Sequence, residues 1–135
     1  MSKINVPLLR KVQKKILAEP AAFMMDLYVE RAEPGTEWVS RTTELRRIVP
    51  PCGTIACIAG WVNIFGGRKS DLSQSYNAQQ LLRLTDIQRD ELFYLGEWPQ
   101  KFTKRWDKAK TLKGRARIAA DRIDDFIARY APKKR

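Results

Sequence analysis

Histidine is absent from this chain of 135 residues. Without an imidazole there is no general base for a Ser-His-Asp or Cys-His nucleophile and no histidine ligand for a metal ion. Cysteine occurs only twice, and the longest nearly unbroken apolar run extends only from Ile55 to Phe65. A membrane-spanning helix needs about 20 apolar residues. We therefore expect neither histidine-dependent chemistry nor membrane insertion.

The composition is that of a globular protein. Hydrophobic residues make up 44% of the chain and charged residues 30%, which is typical of one folded domain. We place that domain at residues 1–131 and a basic flexible tail at 132–135. The N-terminal stretch MSKINVPLLRKV carries charge where a secretory signal would be apolar. Together with the two cysteines, this predicts a cytoplasmic protein with free thiols.

Apolar residues at helical spacing predict a mainly α fold, a compact single-domain bundle of five or six helices. Asn5 is a suitable N-cap for a helix over 6–18. A segment over 54–65 is apolar on all sides and predicts a central helix, in which Ala59-Gly60 allows a second helix to approach closely. The longest helix is predicted over 112–130.

Shorter elements follow from turn and cap signals. β-forming residues flank Pro34-Gly35, which fits a type II turn, so one short β-hairpin is expected near residues 27–41. Asn77 is interpreted as the N-cap of the next helix. The stretch Thr85-Asp86-Ile87-Gln88 has the pattern of a capping box, in which the side chains at its two ends satisfy each other's backbone N–H groups.

Neither cysteine is a convincing nucleophile or ligand. A Cys-Gly followed by a helix is superficially similar to the nucleophile segment of papain-like peptidases, but the required histidine base is missing. Two cysteines are too few for a zinc site. We interpret Cys57 as a small core residue and Cys52-Gly53-Thr54 as a tight entry into the helix.

The terminal helix carries three aspartates, Asp121, Asp124 and Asp125. A Mg²⁺-dependent nuclease would use such a cluster. However, Arg117 lies four residues before Asp121, and Arg129 lies four residues after Asp125. Ordinary ion pairs on a helix surface therefore account for the aspartates, and we assign no metal site and no cofactor.

Positive charge is concentrated near the C-terminus. The chain has 26 basic and 15 acidic residues. Residues 101–117 contain eight basic residues and only one acidic residue, Asp107. Such a stretch suits a nucleic acid or another polyanion, because lysine and arginine release counterions from phosphates. Seven residues are predicted to contact phosphates: Lys101, Lys104, Arg105, Lys108, Lys113, Arg115 and Arg117. A predicted N-terminal helix with Arg10, Lys11, Lys14 and Lys15 could extend this patch.

Two interpretations are open for the tryptophans beside this patch. Trp98 and Trp106 could stack on unpaired bases if they are exposed. Alternatively, Trp98, Phe102 and Trp106 recur every four residues, which is typical of the buried face of a helix, and the lysines opposite them would then only favour solubility.

The run from Cys52 to Trp61, CGTIACIAGW, resembles the signature of a family of small uncharacterised proteins from bacteria and their phages. Three further stretches match that family pattern: AQQLLRL at 78–84, Leu92-Phe93 followed by Trp98-Pro99, and ARIAADRI at 116–123. The resemblance covers most of residues 6–130. It implies a bacterial or phage source and brings no established activity.

These observations lead to a functional hypothesis and an alternative. The hypothesis is a non-enzymatic basic protein that contacts nucleic acid or another phosphorylated anionic ligand through its C-terminal third. No helix-turn-helix, RNA-recognition or zinc-finger signature is present, so sequence-specific base recognition is not expected. The alternative is a phage-type inhibitor or sequestering protein that binds an acidic surface of a host defence protein.

Overall fold

The computed structural model describes residues 3–25, 28–38, 45–69 and 71–131. These ranges contain six α-helices: α1 (Val6–Ala18), α2 (Ile58–Gly66), α3 (Gln74–Leu82), α4 (Asp86–Phe93), α5 (Gln100–Lys108) and α6 (Leu112–Tyr130). Two short 3₁₀ turns are also present: Pro20–Ala22 follows α1, and Leu95–Glu97 lies between α4 and α5. The predicted mainly α fold is thereby confirmed. The predicted basic tail at 132–135 lies outside the described residues.

Local signals place several helix ends where the sequence predicts them. The Asn5 side chain accepts a hydrogen bond from the backbone N–H of Leu8 (3.2 Å), so α1 begins at Val6. Both hydrogen bonds of the capping box between Thr85 and Gln88 are present at the start of α4. None of the described helices is long and apolar enough to cross a lipid bilayer.

Four short strands form two separate antiparallel ribbons. β1 (Val29–Arg31) pairs with β4 (Thr54–Ala56), and β2 (Glu37–Trp38) pairs with β3 (Arg47–Ile48). The pairing implied by a hairpin near 27–41 is therefore wrong, because β1 and β2 each pair with a strand from later in the chain. Positions 27 and 39–41 of that prediction lie outside the described residues.

The Pro34-Gly35 turn itself forms as expected. Gly35 has a φ of +83°, and the backbone N–H of Thr36 donates to the carbonyl of Glu33 (3.3 Å). A positive φ after proline is the geometry of a type II turn. The turn redirects the chain between β1 and β2 without pairing them.

The helix predicted over 54–65 begins later than expected, because 54–56 forms β4 and α2 starts at Ile58. Cys57 caps α2, its sulfur accepting the backbone N–H of Gly60 (3.4 Å). A Cβ atom at Gly60 would lie 1.7 Å from the carbonyl oxygen of Tyr28. The small residue therefore admits the backbone that leads into β1, and not a second helix as predicted.

The predicted cap at Asn77 is also wrong. α3 begins after Ser73, whose hydroxyl accepts the N–H of Tyr76 (3.3 Å). Asn77 instead lies buried within α3 and donates to the side-chain oxygen of Asn63 (2.8 Å) on α2. Asn63 in turn donates to the backbone and side-chain oxygens of Gln74, both at 2.9 Å. This buried amide network joins the last turn of α2 to the first turn of α3.

α6 packs against both α1 and α5. Helical spacing predicts an apolar stripe on α6 that ends at Tyr130. Five of its residues are buried, namely Ala116, Ala119, Ala120, Ile123 and Ile127, whereas Tyr130 is half-buried. Arg122 is also buried, with 2% of its surface exposed, and its guanidinium packs near the rings of Phe102 and Phe126. It donates to the carbonyl of Glu91 (2.9 Å), and burial lowers its pKa. No pattern in the sequence predicts this buried cation.

Candidate polyanion-binding surface

α5 and α6 form an antiparallel helical hairpin, and its ion pairs fix their relative direction. Lys101 in the first turn of α5 lies 3.8 Å from Asp125, and Arg105 one turn later lies 2.9 Å from Asp121. Advancing along α5 therefore means moving back along α6. The connection at 109–111 consequently forms the closed end of this hairpin, and the aspartates lie toward its open end.

Three of the seven predicted phosphate contacts are paired with carboxylates. Besides the pairs of Lys101 and Arg105, Arg117 lies 3.4 Å from the carboxylate of Asp121. Asp121 thus forms ion pairs with both Arg105 and Arg117. The predicted i,i+4 pair of Arg117 and Asp121 is confirmed, and the charges of these cations are partly compensated in the folded protein.

A second set of cations lies along the outward face of α5 and around the closed end of the hairpin. All are exposed lysines with no carboxylate within 4.0 Å among the residues that the structure describes: Lys104, Lys108, Lys110 and Lys113. We refer to these four residues as the lysine cluster. Lys104 and Lys108 are four residues apart and share the outward face of α5. Lys110, in the connection, belongs to this surface although the predicted contact set omits it.

Arg115 differs from the other predicted contacts. It is half-buried, and its guanidinium carbon lies 4.9 Å from the centroid of the Trp106 ring. A cation in this position is attracted by the negative face of the indole. Arg115 is therefore engaged within the protein and is not part of the exposed lysine cluster.

The structure decides between the two interpretations of the tryptophans. Only 4% of the Trp98 surface and 5% of the Trp106 surface are exposed. The Trp98 indole N–H donates to the carbonyl of Leu92 (3.0 Å), and the two rings meet edge to face with centroids 5.8 Å apart. The prediction that Trp98 and Trp106 stack on bases is therefore wrong, and both belong to the core.

The basic residues of α1 are mostly engaged in contacts within the protein. Arg10 pairs with Asp124, and Lys15 pairs with Glu19. A hydrogen bond from the side chain of Gln13, together with the charge of Arg10, lowers the pKa of Asp124. Lys11 lies over the ring of Phe65, its nitrogen 4.8 Å from the centroid. An extension of the basic surface over α1 therefore gains little from these residues.

The cysteines differ in environment. Cys57 is buried, and burial raises the pKa of its thiol to about 11, so the thiol is protonated at neutral pH. A thiolate is the nucleophilic form of cysteine, and Cys57 does not supply it. Its interpretation as a core residue is confirmed. Cys52 is exposed and lies in the turn before β4, so Cys52-Gly53-Thr54 leads into a strand and not into a helix as predicted.

The three aspartates of α6 are held in ion pairs with different partners. Asp125 pairs with Arg122 (3.2 Å) as well as Lys101, and its predicted partner Arg129 lies instead over the ring of Tyr130. Within the described parts of the chain, no group of three or more acidic or cysteine side chains is arranged to hold a metal ion.

Comparisons with known proteins add no relative. No protein-family model, no curated protein and no solved structure matches this chain. The family resemblance carried by the run from Cys52 to Trp61 therefore stays a prediction.

Proposed function

We propose that this protein is a non-enzymatic, cytoplasmic binding protein that contacts nucleic acid through the lysine cluster. The observation that supports the proposal is the concentration of four exposed lysines along α5 and its connection to α6, none with a carboxylate partner in the described residues. An unpaired lysine attracts a phosphate without first losing an internal ion pair.

The contacts would be made to phosphates and not to bases. Lysine is a flexible point charge that binds a phosphate oxygen without reading sequence. Because Trp98 and Trp106 are buried, the described part of the hairpin offers no exposed indole for stacking. Arg105 and Arg117 share the single carboxylate of Asp121, so this group keeps a net positive charge that adds to the cluster.

A charge-reversal pair of variants tests the proposal. The first carries Lys108→Glu, Lys110→Glu and Lys113→Glu in the lysine cluster. The matched control carries Lys3→Glu, Lys69→Glu and Arg83→Glu, three exposed cations away from the hairpin, and changes the net charge by the same amount. Binding to a fluorescein-labelled 20-base-pair duplex is measured by anisotropy at 50 mM salt.

We expect the cluster variant to bind at least about tenfold more weakly than the unaltered protein, and the control to stay within about threefold. Circular dichroism checks that both variants fold. Absence of binding by the unaltered protein at low salt would contradict the proposal, as would equal losses in the two variants, because equal losses mean that only the total charge matters.

The alternative, binding to an acidic surface of a host protein, uses the same lysines, because carboxylates and phosphates both attract ammonium groups. A pull-down from bacterial lysate with and without nuclease separates the two functions. A protein partner that survives nuclease digestion and is lost in the cluster variant supports the alternative. Loss of all co-purifying material after digestion supports nucleic acid.

A further inference from the structure

A cleft lies on a different part of the molecule from the lysine cluster, where β1 meets the end of α2 and the start of α3. Its volume is about 340 Å³, and it is lined by Val29, Arg31, Asn63, Ile64, Gly67, Arg68 and Gln74. Pockets of roughly 300 Å³ and larger accept small organic ligands. The chemistry of the lining therefore indicates which ligand fits.

Two guanidinium groups provide the charge of the cleft. Arg31 is positioned by a long hydrogen bond from one terminal nitrogen to the hydroxyl of Thr54 (3.4 Å), and Arg68 by one to the carbonyl of Leu72 (2.9 Å). Each guanidinium has five N–H donors, so each keeps donors for a ligand. Side chains alternate along a strand, so Glu30 of β1 lies on the opposite face from its neighbour Arg31.

The polar floor of the cleft also presents donors. Asn63 donates to the side-chain oxygen of Gln74 and accepts from Asn77, so its amide is satisfied within the protein. Because the Gln74 oxygen receives this bond, its amide nitrogen keeps its two N–H groups for a ligand. The available side-chain groups of this lining are therefore all donors, which suits a ligand rich in acceptors.

The backbone around the cleft does not reverse the preference for a ligand rich in hydrogen-bond acceptors. α2 ends and α3 begins at the cleft, so the negative end of one helix dipole lies beside the positive end of the other. The two dipoles oppose each other there, and the guanidinium groups determine the sign. Val29 and Ile64, the latter 37% exposed, add an apolar wall to the same cleft.

We propose that this cleft binds a small organic anion in which a phosphate or carboxylate group is attached to an apolar or ring-shaped moiety. The anionic group contacts Arg31, Arg68 and the Gln74 amide, and the apolar part packs on Val29 and Ile64. The buried amide network between α2 and α3 holds the lining in place before the ligand arrives. This site is independent of nucleic-acid binding by the lysine cluster.

Phenyl phosphate, which joins a dianion to a ring, is the probe for the test. It is titrated into ¹⁵N-labelled full-length protein, and inorganic phosphate and benzoate are titrated in parallel. We expect saturable shifts of the backbone amides of Gly67 and Gln74 with phenyl phosphate. Inorganic phosphate, which lacks the ring, should bind at least about tenfold more weakly. Benzoate identifies whether a carboxylate substitutes for the phosphate.

The double variant Arg31→Gln, Arg68→Gln should weaken phenyl phosphate binding at least about tenfold, since both charge-assisted contacts are removed. The matched control, Lys69→Gln with Arg83→Gln, removes the same charge from exposed positions outside the cleft and should stay within about twofold. Equal losses in the two variants, shifts confined to the lysine cluster, or equal affinity for inorganic phosphate would each overturn the proposal. The triple lysine variant used for the duplex should bind phenyl phosphate normally, which separates this result from the proposed function.

Discussion

The salt dependence of duplex binding distinguishes the lysine cluster from the whole basic stretch. Each phosphate neutralised by a protein cation contributes about −0.9 to the slope of log K against log salt concentration. If only the four members of the lysine cluster contact phosphates, the slope is about −3.6. If all eight basic residues between 101 and 117 contributed, it would be about −7.

These slopes correspond to clearly different losses of affinity. Between 50 and 200 mM salt, four contacts predict a fall of about 150-fold, whereas eight contacts predict about 2 × 10⁴-fold. We expect the smaller value, because Lys101, Arg105 and Arg117 are already paired with carboxylates and Arg115 packs against Trp106. Equilibrium titrations by anisotropy at five salt concentrations would give the slope.

A matched variant checks that the slope comes from the cluster. Lys108→Gln with Lys113→Gln should halve the slope to about −1.8, whereas Lys3→Gln with Lys69→Gln should leave it unchanged. A slope steeper than about −6 for the unaltered protein would refute the reasoning, because the internal ion pairs would then fail to withhold the other cations. A slope near zero would refute phosphate contact altogether.

Four further predictions follow from other parts of the molecule. Asp121→Asn should tighten duplex binding and steepen the slope of log K against log salt concentration to about −5.4 in the same anisotropy assay, because Arg105 and Arg117 lose their shared carboxylate. An unchanged slope would show that these two arginines do not reach phosphates. Gly60→Ala places a methyl group 1.7 Å from a carbonyl oxygen, so it should lower the unfolding free energy in urea by at least about 3 kcal/mol and the thermal unfolding midpoint by about 10 °C. The control Gly96→Ala, whose added methyl group has nothing within 4 Å, should change the unfolding free energy by less than about 1 kcal/mol. Arg122→Ala should cost about 3 to 5 kcal/mol in urea unfolding, since it leaves a cavity and an unpaired carbonyl, and a cost below about 1 kcal/mol would contradict its packing role. Burial raises the pKa of Cys57 from an ordinary value of 9.0 to about 11. Between these two pH values the thiol ionises in the unfolded chain but not in the folded protein, so the unfolding free energy should fall by up to about 2 to 3 kcal/mol as pH rises. Cys57→Ser should remove that part of the pH dependence.

Features set by neighbouring residues could be predicted from the sequence. The N-cap at Asn5, the capping box at Thr85 and the bounds of α6 depend on hydrogen bonds and apolar spacing within a few residues. The recurrence of Trp98, Phe102 and Trp106 every four residues likewise favoured a buried face, and their burial agrees with it. These signals are short-range, so one sequence suffices to detect them.

Features that depend on distant partners could not be predicted in the same way. β1 pairs with β4 across an intervening ribbon, and no local pattern in three residues identifies that partner. Asn77 is a residue type that often caps helices, yet its side chain donates a hydrogen bond to Asn63 on another helix. Which cations are paired with carboxylates also depends on residues that are distant in the sequence, because Arg105 contacts Asp121 only once α5 packs against α6.

The placement of the aspartates along α6 has a consequence for how the protein meets a partner. Asp121, Asp124 and Asp125 lie toward the open end of the α5–α6 hairpin, whereas Lys108, Lys110 and Lys113 surround its closed end. The aspartates partly compensate the cations near the open end, whereas the lysines at the closed end have no carboxylate partner in the described residues. The field of a polyanion therefore pulls more strongly on the closed end and exerts a torque that turns the hairpin until its connection faces the polyanion. Orientation before collision raises the association rate more than it slows dissociation, so added salt should act first on the rate of encounter.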